Sequence, residues 1–135
     1  MILLNGKMVE DDKVFLDSGF YFGRGLFETM LVNNEPLFLE DHLYRINKGL
    51  SIIGINKEIT EDEVIDAVNK LQCNNCVLKL VVTERNILFN TRKSNYTEEQ
   101  YKRGFKVKIS SVRRNEHSQL TYLKSLNYLE NILEH

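Results

Sequence analysis

The chain has 135 residues, 42% apolar and 27% charged, with a formal net charge of −1, the profile of one globular domain with a core of ordinary size. That balance excludes the basic footprint of a nucleic-acid binder, and no apolar run is long enough to span a membrane. The opening MILLNGKMVE has no basic stretch followed by a long apolar one, so it does not read as a signal peptide and a cytoplasmic setting is expected.

The first element is a hairpin. In ILLNGKMV, Asn5-Gly6 stands between two apolar runs, the strongest short-range hairpin signal. DSGFYFGRGLFET then crowds Gly19, Gly23 and Gly25 ahead of a strand. Gly23-x-Gly25 permits positive φ and close approach by a ligand or another backbone, but it lacks the third glycine and the helix of a dinucleotide fingerprint. LFETMLVNNEPLFL reads as a second hairpin turning at Asn33-Asn34. In LEDHLYRINKGLSIIG, residues Leu39, Leu43, Ile46, Leu50 and Ile53 share one helical face, which predicts a helix over 39–53 ended by Gly54. Arg45, His42 and Gly49 lie along one flank of it, where the missing side chain of Gly49 is expected to leave room for an anion at the guanidinium.

TEDEVIDAVNKL carries the capping box Thr60-x-x-Glu63 and apolar residues at helical spacing, predicting a helix over 61–71. QCNNCVLKLVV runs from that helix through a turn into a buried strand. A zinc site at Cys73-x-x-Cys76 would need a second ligand pair, and His42, His117 and His135 are scattered. No metal is expected, and the turn reads as holding two reduced thiols. FKVKISSV alternates strictly, predicting a strand with Phe105, Val107 and Ile109 facing inward. The closing TYLKSLNYLENILEH predicts a helix with Leu126, Leu129, Ile132 and Leu133 on one stripe, capped by Ser125 or Asn127. Lys124 would then sit between leucines at the positive end of a helix dipole. Both circumstances disfavour an ammonium and favour the neutral amine of a Schiff-base nucleophile. The element order implies an α+β fold, a mainly antiparallel sheet with two helices on one face.

Three of these features occur together in a known order. FG-x-G-x-FET, H-x-x-R-I and K-S-L-N-Y, with LNGKMVE and RGFKVKISSVRRN around them, resemble the N-terminal part of the fold-type IV pyridoxal-phosphate enzymes, the class-IV aminotransferase family. The resemblance implies a fold like the N-terminal domain of the D-amino acid aminotransferase-like enzymes and a pyridoxal 5'-phosphate cofactor. By the same resemblance, Lys124 attaches the cofactor and moves protons, and Arg45 binds its phosphate. Phe27 and Thr29 border the substrate side, and Arg92 lies near the place of an arginine for a substrate carboxylate.

GLFET and KSLNYLEN are most similar to the 4-amino-4-deoxychorismate lyases, which release pyruvate and 4-aminobenzoate for folate synthesis. Branched-chain and D-amino acid aminotransferases share the half-pattern. A small-molecule amino substrate and a homodimer are implied. The competing reading of another class is a non-catalytic dimerisation or binding domain. Family members continue into a second domain, so residues 1–118 are expected to form the N-terminal domain and 119–135 the linker and start of a cofactor-binding one. By that reading the chain is an N-terminal portion, inactive alone.

Overall fold

The computed structural model describes residues 2–10 and 13–134; His135 lies outside them. The chain runs β1 (Ile2–Leu4), β2 (Lys7–Val9), α1 (Ser18–Phe22), β3 (Gly25–Asn33), β4 (Glu35–Pro36), α2 (Leu39–Ile52), α3 (Glu61–Lys70), β5 (Cys76–Thr83), β6 (Ile87–Lys93), α4 (Glu98–Arg103), a 3-10 turn (Gln119–Tyr122) and α5 (Leu129–Leu133). The strands form one sheet in the order β2-β1-β6-β5-β3-β4, with antiparallel neighbours throughout. No helix among the described residues is long and apolar enough to cross a membrane.

Both hairpins follow their turn chemistry. Asn5 and Gly6 each take positive φ (48° and 76°), as does Asn34 (61°), the conformation Asn and Gly tolerate best. The capping box of α3 is complete, Thr60 accepting from the Glu63 amide and Glu63 from the Thr60 amide. Helices α2 and α3 cover one face of the sheet. The core joins Ile46 and Leu50 of α2 and Val64, Ala67 and Val68 of α3 to Leu26, Met30, Val32, Leu78, Leu80, Val82 and Phe89 of the strands. Leu39, Leu43 and Ile53 pack at its margin, so the expected stripe of the first helix is the packed one.

Three expectations fail here. Residues 104–110 form no strand, and Phe105, Val107 and Ile109 are 58%, 92% and 100% exposed. Alternation decides which face of a strand would be apolar; a ladder partner decides whether there is a strand. The free edge of β3 is taken by another segment, described below. The closing helix starts only at Leu129, with Tyr128 at its N-cap and no side-chain cap. Finally, Cys73 and Cys76 are joined in a disulfide rather than standing as two thiols. β6, α1 and α4 carry no periodicity that announces them.

Candidate active site

Strand β3 builds the site from both of its faces. Leu26, Glu28, Met30 and Val32 point toward the helices and are buried. Phe27, Thr29 and Leu31 point the other way by the period of a strand. Across β5 and β6 that open face continues as Phe27–Val81–Leu88, Thr29–Lys79–Asn90 and Leu31–Val77–Arg92.

On the helix side, Glu28 is 1% exposed, a position that a carboxylate holds only with partners. It has two. Arg45 Nε and Nη2 donate to its two oxygens at 2.6 Å each, a bidentate fork. His42 Nδ1 donates to Oε2 at 2.7 Å. The hydrogen bonds to Glu28 outweigh partial burial and raise the Arg45 pKa above its ordinary value. The Arg45 side chain remains 51% exposed and lines a cleft of about 810 Å³ with Phe38, Tyr44, Lys48, Tyr122 and Leu123. Gly49 lines that cleft beside Arg45, and a Cβ there would lie 2.5 Å from Leu26 Cδ1, so its missing side chain also lets α2 sit down on β3.

The glycine loop and the closing segment are two halves of one contact. Gly23 adopts φ 68° at the end of α1, and a Cβ on it would stand 2.6 Å from Asn127 Oδ1. A Cβ on Gly25 would stand 2.7 Å from Leu126 Cδ1 and 2.8 Å from the Val82 carbonyl. The close approach that the glycines allow is therefore that of residues 124–127. Phe27 N donates to Lys124 O at 3.0 Å and Leu126 N to Gly25 O at 2.9 Å, so Ser125 pairs with Leu26 as a bridge on the β3 edge. Asn127 Nδ2 donates to Gly23 O at 3.0 Å instead of capping the last helix.

Because Ser125 shares the side of Leu26, Lys124 projects to the side of Phe27. Its Nζ lies 4.4 Å from the Phe27 ring centroid and 5.5 Å from that of Tyr128, and the two rings meet edge to face. α5 begins five residues later, so Lys124 does not stand at the helix start as expected; aromatic walls flank its amine. Lys124 lines a cleft of about 710 Å³ with Thr29, Arg92, Tyr96, Arg114, Tyr128 and Glu130.

Four of the five expected residues thus meet: Lys124, Thr29 and Arg92 line one cleft, and Phe27 carries the lysine. Arg45 does not join them. It bonds the opposite face of β3 and lines a different cleft, divided from theirs by the stretch from Tyr122 to Lys124. Two residues were missed. Glu28 fixes Arg45, and its signal is a glutamate at an inward position of an apolar alternation. Arg114 shares the lysine's cleft, and nothing in its local sequence marks it.

The family description "Amino-transferase class IV" matches residues 25–135. Over 75 residues, 53% of this chain and 26% of the relative, the sequence is 32% identical to the aminodeoxychorismate lyase of Bacillus subtilis (strain 168). Over 74 residues, 52% of this chain and 26% of the relative, it is 31% identical to the D-alanine aminotransferase of Bacillus licheniformis. The crystal structure of 4-amino-4-deoxychorismate lyase from Pseudomonas aeruginosa has the same fold, with a TM-score of 0.77 at 24% identity, over 99% of this chain and 55% of that one. The chain therefore spans about half the length of that structure, and its matched part about a quarter of each curated relative. With the match running through both the strand that presents Phe27 and Thr29 and the segment that delivers Lys124, the chain belongs to the class IV amino-transferase family.

Proposed function

We propose that the chain serves a pyridoxal-phosphate-dependent 4-amino-4-deoxychorismate lyase, with Lys124 as the residue that bonds the cofactor. One observation carries the reading: the Lys124 amine stands in an open cleft with two arginines, Arg92 and Arg114, neither of them in an ion pair among the described residues. This donor set suits the cofactor, offering an amine for its aldehyde and a cation for an anionic group beside it. It also suits the substrate, because aminodeoxychorismate carries two carboxylates, whereas D-alanine carries one. That count favours the lyase over the aminotransferase reading.

When bound, pyridoxal phosphate supplies an electron sink for the carbon attached to the substrate nitrogen. This chain's residues do the rest. Phe27 and Tyr128 confine the Lys124 amine, which as a free base takes a proton from substrate and as its conjugate acid returns one. Arg92 and Arg114 orient carboxylates, and the Thr29 hydroxyl donates a hydrogen bond from the strand. Arg45 is retained as the phosphate contact on the strength of the H-x-x-R-I match. What supports it in space is a half-exposed side chain, fixed by Glu28, beside the segment that leads into Lys124.

Residues 1–118 are proposed as the N-terminal domain and 119–135 as the link into a cofactor-binding domain, in a cytoplasmic homodimer. The exposed aromatic run Phe20, Tyr21 and Phe22 is the kind of surface that association covers. The chain by itself is expected to turn over aminodeoxychorismate far more slowly than a relative with both halves, since fixed orientation is worth roughly 7–11 kcal/mol of barrier.

The test is chemical. Pyridoxal phosphate is added to the purified chain, borohydride fixes it, and the labelled peptide is mapped by mass. The label is expected on Lys124 ahead of Lys79, which shares the face. A label spread over surface lysines would remove the site.

A further inference from the structure

Cys73 and Cys76 close a disulfide across the turn between α3 and β5, away from both clefts. We propose that this CxxC is a reversible dithiol–disulfide centre that exchanges with a low-molecular-weight thiol–disulfide couple, Cys76 being the sulfur that meets it.

Three observations lead there. First, the turn holds the cysteines opposed without the bond. Leu71 N donates to Ala67 O, Gln72 N to Asn69 O and Cys73 N to Val68 O, at 2.9–3.1 Å. From the β3–β4 hairpin, Asn34 N donates to Asn74 Oδ1 at 3.1 Å. The Cα atoms lie 5.8 Å apart, inside the range of roughly 4.4–6.8 Å that a disulfide spans. Second, the bond closes a loop with a sequence separation of only 3. So short a loop removes less freedom from the unfolded chain than a long one would, so the bond's share of the stability is small. Third, access is unequal. Cys73 is 4% exposed and belongs to the core, while Cys76, the first residue of β5, is only half-buried.

The exchange follows from that asymmetry. A thiolate from solution attacks Cys76 Sγ, the S–S bond breaks, and Cys73 Sγ leaves with the electron pair and takes up a proton. A second thiolate then attacks the outer sulfur of the mixed disulfide and releases Cys76 as a thiolate, which is protonated in turn. The protein gains two electrons and two protons, and two small thiols become one small disulfide. Oxidation is the reverse, driven by the small disulfide.

The purified chain is equilibrated over a series of reduced-to-oxidised glutathione ratios, quenched in acid and alkylated, and intact mass counts the thiols. The expected result is a sigmoidal conversion between zero and two thiols, with circular dichroism unchanged. A thiol count that stays at zero or at two across the series would overturn the proposal. So would a glutathione adduct that persists on the unmutated chain. In Cys73→Ala, Cys76 is expected to take up glutathione disulfide about tenfold or more faster than Cys73 does in Cys76→Ala, reactivity following access. Equal rates, or the reverse order, would overturn the assignment of Cys76.

Discussion

The two faces of β3 carry polar groups under opposite conditions. On the helix side Glu28 is sealed, with both oxygens taken by Arg45 and His42 at 2.6–2.7 Å. On the open side the Lys124 amine touches aromatic rings, and among the described residues the Arg92 guanidinium donates only to the carbonyl of Lys93. The helix side of the strand thus holds a charge with every partner, while the cations on the open side make no ion pair among the described residues. A saturated group contributes to stability, because breaking its set strands a buried charge. An unsaturated one contributes to chemistry, because its bonding capacity is left for a ligand.

The comparison breaks most visibly at Arg45. Arg45→Met leaves the Glu28 carboxylate with His42 alone, and the fold is expected to lose about 3–4 kcal/mol, read as a lower urea midpoint without any cofactor present. If Arg45 acted only on a phosphate, the midpoint would not move. Asp17 is a second saturated carboxylate. It accepts from Gly19 N, Phe20 N, Thr83 Oγ1, Arg85 N and Asn86 Nδ2 at 2.6–3.3 Å and ties the glycine loop to the β5–β6 turn. Asp17→Ala is expected to cost about 2–3 kcal/mol by leaving those donors unpaired. Burial pushes its pKa up, but the hydrogen bonds from Thr83, Arg85, Gly19 and Phe20 together hold it below the ordinary 3.8. The folded state therefore binds this proton less readily than the unfolded one. Its contribution is whole above about pH 4 and fades as the pH falls through the lowered value. Acid titrations of the native chain and of Asp17→Asn should converge at low pH; parallel curves would contradict the assignment.

These saturated groups also mark where sequence reading stops. The α2 stripe, the α3 capping box and both hairpins are local patterns, and the structure keeps them. Glu28 is half legible: its place in the inward alternation of Leu26, Met30 and Val32 announces a buried carboxylate, and His42 and Arg45 one helical turn apart are the obvious donors. Asp17 is legible only as a cap, accepting from Gly19 N and Phe20 N; its partners at 83–86 lie more than 60 residues away and are chosen by the fold. Residues 105–109 fail in the other sense, since they have the right period but pair with no strand of the sheet. Lys124 is legible in the sequence, both from its leucine flanks and from the K-S-L-N-Y match, but what positions it is not. The backbone bridge to Leu26 positions it, and the two glycines opposite make room for that bridge.

That bridge gives a smaller effect. Gly25→Ala places a methyl against the Val82 carbonyl and Leu126, and backbone cannot yield as a flexible side-chain tip can. A cost of about 1–2 kcal/mol is expected from overpacking, with residues 124–126 displaced from the β3 edge. Borohydride-fixed labelling of Lys124 should fall more than the melting temperature does. Labelling as efficient as in the unmutated chain would mean that the amine is not held by this contact.

The smallest expected change in stability is the one that isolates the open face. Lys124 has no carboxylate partner among the described residues, and its contacts are the Phe27 and Tyr128 rings. Such contacts are worth about 0.5–1 kcal/mol when partly exposed. The aliphatic stem of the lysine adds some packing on the same rings. Lys124→Ala should therefore move the urea midpoint by less than about 1 kcal/mol, well under the loss at Arg45, while abolishing the fixed pyridoxal-phosphate label at this position. Lys79 makes a matched control, since its Nζ lies 5.3 Å from the same Phe27 ring and it does not line the cleft with Arg92 and Arg114. Lys79→Ala should shift stability by a similar small amount and leave the label on Lys124. If Lys124→Ala instead costs as much as Arg45→Met, the lysine is structural. The division between a sealed and an open face of β3 would then fail at the residue that defines it.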